Sequence, residues 1–188
     1  MSADTDLKPI ALTQGDPAGI GPDISLVAWT RREELGLSPF LFLGDPAVLS
    51  ARARSLGLTV PLKQSTPEQA ADDFRTHFPV LPIAAGIDVV AGTPHKATAT
   101  GTISAIEMGV SFCFSGQVRA LVTNPIAKSV LYEAGFGFPV HTEFLAALSE
   151  IATGQSVMPV MMLDGEKLRA VPVTIHVPLI PVANCLND

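Results

Sequence analysis

Four short segments of this 188-residue chain bring together residue types that could do chemistry. Thr13-Gln14-Gly15-Asp16-Pro17-Ala18-Gly19-Ile20-Gly21-Pro22 combines a carboxylate with closely spaced glycines. Glycines let a backbone pass close to its neighbour, and a helix start favours an anion. The segment is neither a Walker A loop, lacking Gly-Lys-Ser/Thr, nor a G-x-G-x-x-G dinucleotide fingerprint, so a tight strand–helix connection stands equally open. In Thr123-Asn124-Pro125-Ile126-Ala127-Lys128, the lysine could face a phosphate or simply be solvated. In His141-Thr142-Glu143, His141 could donate a hydrogen bond to a substrate. Equally, Thr142 could be no more than a helix N-cap with Glu143 in the first turn. His176, in Thr174-Ile175-His176-Val177-Pro178-Leu179, is a candidate metal ligand or acid–base group. His77 and His95 form no ligand pair with it by spacing, so the local pattern alone favours a structural histidine.

These segments need a scaffold that gathers strand ends and helix starts. Apolar runs bounded by Gly and Pro alternate with helical periodicity, the pattern of βα units and a mainly parallel sheet. Ile10–Thr13 reads as a buried strand, with Pro22 at the first helical position of the helix that follows. Phe40–Leu43 reads as a second strand, followed by a helix from Pro46 that Gly57 ends. The polar stretch Gln64–Pro82, with Pro67 and Pro79, reads mostly as loop. Ile103, Ile106, Val110 and Phe114 mark one face of a helix over Thr102–Ser115. Ala120–Thr123 is a short strand, Asn124 an N-cap and Pro125 the first residue of a helix closed by Gly135. A helix from about Glu143 to Ile151 follows. Val157–Leu163 and Leu168–Thr174 then read as a hairpin about Asp164-Gly165. Pro181 opens a helix that stops at Asp188, so the sequence reads as cut inside an element.

Net charge is −6 and the basic residues are scattered, which excludes a nucleic-acid partner. No apolar run reaches the length of a membrane span, and polar Met1–Lys8 is no signal peptide, so a soluble cytoplasmic protein is expected. Cys113 and Cys185 lack metal or redox spacing and read as buried, inert thiols.

In their order and spacing, four stretches resemble the 4-hydroxythreonine-4-phosphate dehydrogenase family. They are Gly15 to Pro22, Leu121 to Lys128, His141-Thr142-Glu143-Phe144-Leu145 and Thr174 to Leu179. The resemblance runs from about Pro9 to Leu179. It implies an α/β fold similar to the isocitrate and isopropylmalate dehydrogenases, three-layered α/β/α with a mainly parallel sheet and a hairpin at 157–174. Two domains would flank a cleft, the first over roughly 1–140 and the second starting at roughly 141–188. It further implies a homodimer that uses NAD (or NADP) and a divalent metal (zinc, magnesium or cobalt). The reaction implied is oxidation, then decarboxylation, of 4-phosphooxy-L-threonine in pyridoxal 5'-phosphate biosynthesis.

Carried over by position, His141 and Thr142 match the family's substrate-contacting pair. His176 matches the first of three metal-binding histidines, and the other two lie outside this sequence. The 188-residue chain alone is therefore expected to be inactive. Val140 stands where relatives have glycine, and Thr93–Thr98 is looser than the family pattern. These departures point to one alternative, a related dehydrogenase of a phosphorylated sugar acid (threonate or erythronate 4-phosphate), and a separate alternative is a non-catalytic remnant that binds a phosphorylated ligand.

Overall fold

The computed structural model describes residues 8–138, 141–174, 178 and 180. The chain divides into two compact units, Met1–Pro139 and Val140–Asp188. In the first, β1 (Ile10–Thr13), β2 (Phe40–Gly44), β3 (Leu62–Gln64), β4 (Phe78–Pro82) and β5 (Ala120–Thr123) form one sheet. Its order is β3-β4-β2-β1-β5, and every neighbouring pair is parallel. The helices of this unit are α1 (Gly21–Thr30), α2 (Pro46–Ser55), α3 (Pro67–Asp73), α4 (Ala99–Phe114) and α5 (Lys128–Glu133), with a 3-10 turn at Lys96–Thr98.

Successive side chains of a strand point to opposite faces of its sheet. Ile10, Leu12, Phe40, Phe42, Phe78 and Val80 accordingly pack with Leu26 and Trp29 of α1 and Leu49 and Ala53 of α2. Ala11, Leu41, Leu43, Leu81 and Leu121 pack with Ala70 of α3 and Ala105 of α4 on the other side. The sheet thus lies between two helical layers, and the expected three-layer α/β/α arrangement is what forms. All five residues of β2 are buried, as an apolar run in a central parallel strand requires. Phe42 and Phe78 are fully buried with ring centroids 5.5 Å apart, and each contributes roughly 1.5–3 kcal/mol through burial alone.

The stretch expected as loop, 64–82, instead holds α3 and β4. Thr66 and Gln69 form a capping box at the start of α3, each side chain bonding the other's backbone. Pro79 argued against a strand, yet it and Pro82 each fall where no ladder bond is asked of the missing N–H. The β2–β4 ladder begins at Phe42↔Val80, one residue after Pro79. The β3–β4 ladder ends at Gln64↔Val80, two residues before Pro82.

Two further expectations are corrected. Asn124 does not cap a helix, because α5 begins only at Lys128 behind Ala127. On α4 the buried face is Ala99, Thr102, Ala105, Ile106, Gly109 and Val110, and Phe114 is half exposed. A Cβ on Gly109 would lie 2.5 Å from Leu121 Cδ1, so small residues decide which face of α4 meets the sheet.

The second unit holds α6 (His141–Thr153) and a short antiparallel pair, β6 (Leu163–Asp164) and β7 (Arg169–Ala170). The hairpin exists, but its ladder is two residues long in each strand, and Asp164 pairs with Arg169 instead of turning the chain. The turn is closed one residue later, where Gly165 N–H donates to the Leu168 carbonyl at 3.0 Å. The helix expected from Pro181 lies outside the described residues.

Candidate functional site

The carboxyl ends of β1, β2 and β5 place their following loops side by side, the position where open α/β sheets bind ligands. The chain leaves β1 toward β2 on one side and returns to β5 on the other, so the gap between β1 and β5 is the switch point. Here the two loops are bonded to each other. Asp16 N–H donates to the Pro125 carbonyl at 2.9 Å. Asn124 Nδ2 donates to the Thr13 carbonyl and to Ser25 Oγ, both at 2.9 Å. Gly15 has φ +70°, and a Cβ there would sit 2.4 Å from the Pro125 carbonyl oxygen. A Cβ on Gly21 would sit 2.3 Å from the Gln14 carbonyl oxygen. Both glycines therefore admit protein backbone, as a tight strand–helix connection requires.

The remaining contacts fix the loop from α2 and α4. Thr102 Oγ1 donates to the Gly15 carbonyl at 3.1 Å. Arg52 Nη2 donates to the carbonyls of Pro17, Ala18 and Gly19, and its Nη1 pairs with Asp23 at 3.0 Å. Asp45 caps α2 through Ala47 N–H and also accepts from Ala85 N–H, while its own N–H donates to Gln14 Oε1. Sequence reasoning singled out neither Arg52 nor Thr102. Their partners lie 35 and 87 residues away, so no local pattern marks them. Lys128 is exposed at the start of the six-residue α5.

In the second unit α6 begins at His141, which puts Thr142 inside its first turn rather than at its cap. The His141 ring is half-buried, and its Nε2 is buried without a hydrogen-bond partner among the described residues. Burial holds the ring pKa below the ordinary histidine value, so it is neutral at neutral pH, with one nitrogen donating and the other accepting. Thr142 and Glu143 are exposed beside it. Around the far end of α6, Ala147, Glu150, Ile151 and Gly154 to Ser156 line an open concavity of about 550 Å³. Its carboxylate is already used, since Glu150 Oε1 accepts from Ser156 Oγ and Val157 N–H.

His176 lies outside the described residues. Among the described residues no group of three His, Cys, Asp or Glu side chains could hold a metal. His77 Nδ1 bonds Thr76 Oγ1, and His95 Nδ1 accepts from Ala97 N–H at the 3-10 turn, so both are used locally. Cys113 is partly buried in α4, and burial pushes its thiol pKa up, away from reactivity. Cys185 lies outside the described residues. No described helix is long and apolar enough to cross a membrane.

Comparison with known proteins places this scaffold. The sequence profile described as "Pyridoxal phosphate biosynthetic protein PdxA" matches residues 37–188. A 4-hydroxythreonine-4-phosphate dehydrogenase of Xanthobacter autotrophicus is 48% identical over 179 residues, covering 95% of this chain and 51% of that protein. One from Methylorubrum extorquens is 47% identical, covering 98% of this chain and 53% of its own length. The crystal structure of a 4-hydroxythreonine-4-phosphate dehydrogenase from Burkholderia phymatum superposes with TM-score 0.79 at 24% identity, over 95% of this chain and 53% of that one. This last likeness speaks for the fold. The chain spans about half the length of the curated relatives it matches. It belongs to the PdxA family of pyridoxal phosphate biosynthetic proteins.

Proposed function

We propose that this chain is the amino-terminal part of a cytoplasmic, homodimeric dehydrogenase that oxidises 4-phosphooxy-L-threonine with NAD (or NADP) in pyridoxal 5'-phosphate biosynthesis. The observation that carries this reading is the 48% identity, along 95% of the chain, to a relative named for that activity. Residues from Val140 onward form a separate unit, and we read them as the start of the second domain.

The described residues do not by themselves supply a metal's ligand set. His176 is assigned as one ligand, to be completed by the remaining length of the protein. A bound metal would supply polarisation of the reacting oxygen and a bound nicotinamide would supply a hydride acceptor. The part that falls to this chain is substrate binding. A buried imidazole nitrogen with no partner among the described residues costs on the order of 1–3 kcal/mol, which a ligand group bonded to His141 Nε2 would offset. The neutral ring meets a hydroxyl or phosphate oxygen as donor without adding charge, and the exposed Thr142 hydroxyl beside it supplies a second contact.

The test is turnover by the complete protein with phosphorylated hydroxythreonine, NAD and a divalent metal. Steady reduced-nucleotide production is expected, His141→Ala should raise KM, and the 188-residue chain alone should give none. Val140 and the Thr93–Thr98 segment favour a second reading, a phosphorylated sugar acid as substrate. Turnover confined to threonate or erythronate 4-phosphate would establish it in place of the first. A complete protein inactive on all of these is a non-catalytic remnant.

A further inference from the structure

Arg52 is only 12% exposed, yet it lies in α2 and not in the loop it serves. Its Nη2 is shared among three successive carbonyls, Pro17 at 3.3 Å, Ala18 at 2.9 Å and Gly19 at 3.0 Å. Gly92 N–H reinforces the middle one at 2.8 Å. Three carbonyls turned to one side bring the negative ends of their dipoles together, an arrangement that a buried guanidinium stabilises and water or a shorter amine matches poorly. In a trans peptide the carbonyl of one residue and the N–H of the next point in opposite directions. With carbonyls 17, 18 and 19 held on Arg52, the amides of Ala18, Gly19 and Ile20 are aimed away from it. Asp16 takes the first two, through Oδ1 at 3.0 Å and its carbonyl at 2.9 Å. The third belongs to Ile20, which is 60% exposed.

We propose that Arg52 is a positioning residue for ligand binding. By holding the peptide planes of 17–20, it sets the surface that this loop presents at the carboxyl ends of β1 and β5. The proposal rests on the dehydrogenase reading above, whose phosphorylated substrate and nucleotide are the ligands concerned. Asp23 is a secondary partner: it neutralises the charge, while the three carbonyls carry the geometry.

The experiment uses the complete protein with Arg52→Lys and Asp23→Asn. Lysine keeps a cation opposite Asp23 but cannot reach the carbonyls with a fork. Arg52→Lys should speed hydrogen exchange of the amides at 18–21. It should also raise KM for phosphorylated hydroxythreonine or for NAD about tenfold or more, with kcat less affected. Asp23→Asn should leave both KM values within about twofold. Arg52→Met, which keeps much of the side chain's length but has no donor for the carbonyls, replaces the lysine variant with the same expected rise in KM if that variant does not fold. Unmoved KM values, or a lower melting temperature as the sole change, overturn the proposal while wild-type turnover leaves the dehydrogenase reading standing. Absence of wild-type turnover overturns that reading and this proposal with it.

Discussion

Asn124 donates its side-chain amide to Ser25 Oγ at 2.9 Å, joining the end of β5 to the first helix across 99 residues of sequence. Ser25 Oγ in turn donates to the Gly21 carbonyl at 2.7 Å, so the bond continues into the start of α1. The same amide also reaches the Thr13 carbonyl, which leaves Asn124 buried with both donor hydrogens used. Asn124→Ala is expected to cost about 1–3 kcal/mol, because it strands the Thr13 carbonyl and leaves the site underfilled. Urea unfolding of the 188-residue chain measures it. A loss below about 0.5 kcal/mol, the range of ordinary surface substitutions, would show that the tie is dispensable.

Two glycines of similar backbone conformation separate conformational strain from crowding. Gly57, at φ +66°, has open space where a methyl would project, whereas Gly15, at φ +70°, faces the Pro125 carbonyl. Gly57→Ala should cost about 1–2 kcal/mol for the left-handed conformation alone. Gly15→Ala should cost roughly a further 1–3 kcal/mol from overpacking. Equal losses in thermal unfolding would mean that the loops after β1 and β5 move apart freely.

Much of the scaffold is legible in the sequence, because each βα unit carries its own local signals. Pro22, Pro46 and Gly57 mark helix ends in their own right, and the apolar run of β2 has one reading in a parallel sheet. The errors fall where tertiary register decides. Pro79 looks like a strand breaker until the staggered ladders on the two sides of β4 are known. Phe114 looks like core until Gly109 meets Leu121 and turns α4 about its axis. The candidate site is less legible for the same reason. His141 and Thr142 can be named through resemblance, whereas Arg52 declares itself only when α2 lies against the loop.

The burial of His141 sets the direction of a pH effect. An unfolded ring titrates near ~6.5, and the folded ring titrates below its ordinary value, so the unfolded state binds more protons between the two. The stabilisation is complete above the unfolded value and is lost as pH falls toward the folded one. His141→Gln should flatten that part of the stability profile. A folded-state ring titration by NMR with its midpoint at or above the ordinary value would refute the shift.

The second unit shows an apolar run to solvent. Met158, Val160, Met162, Leu163, Leu168 and Val173 are each more than half exposed. The 188-residue chain should therefore self-associate in a concentration-dependent way by sedimentation. Val160→Lys combined with Leu168→Lys should weaken that association. A monodisperse monomer at high concentration would contradict the prediction.

The strand order also carries a timetable. The inner strand β1 gains β2 as its neighbour early, but β5 pairs with it only after about 110 further residues have been made, from Ile10 to Ala120. At about 5–20 residues per second, a ribosome takes roughly 5–20 seconds to deliver that partner. For that interval one side of β1 is an open edge, able to accept any extended segment that arrives first. A strand paired on both sides in the finished sheet is thus open to mispairing while the chain is being born.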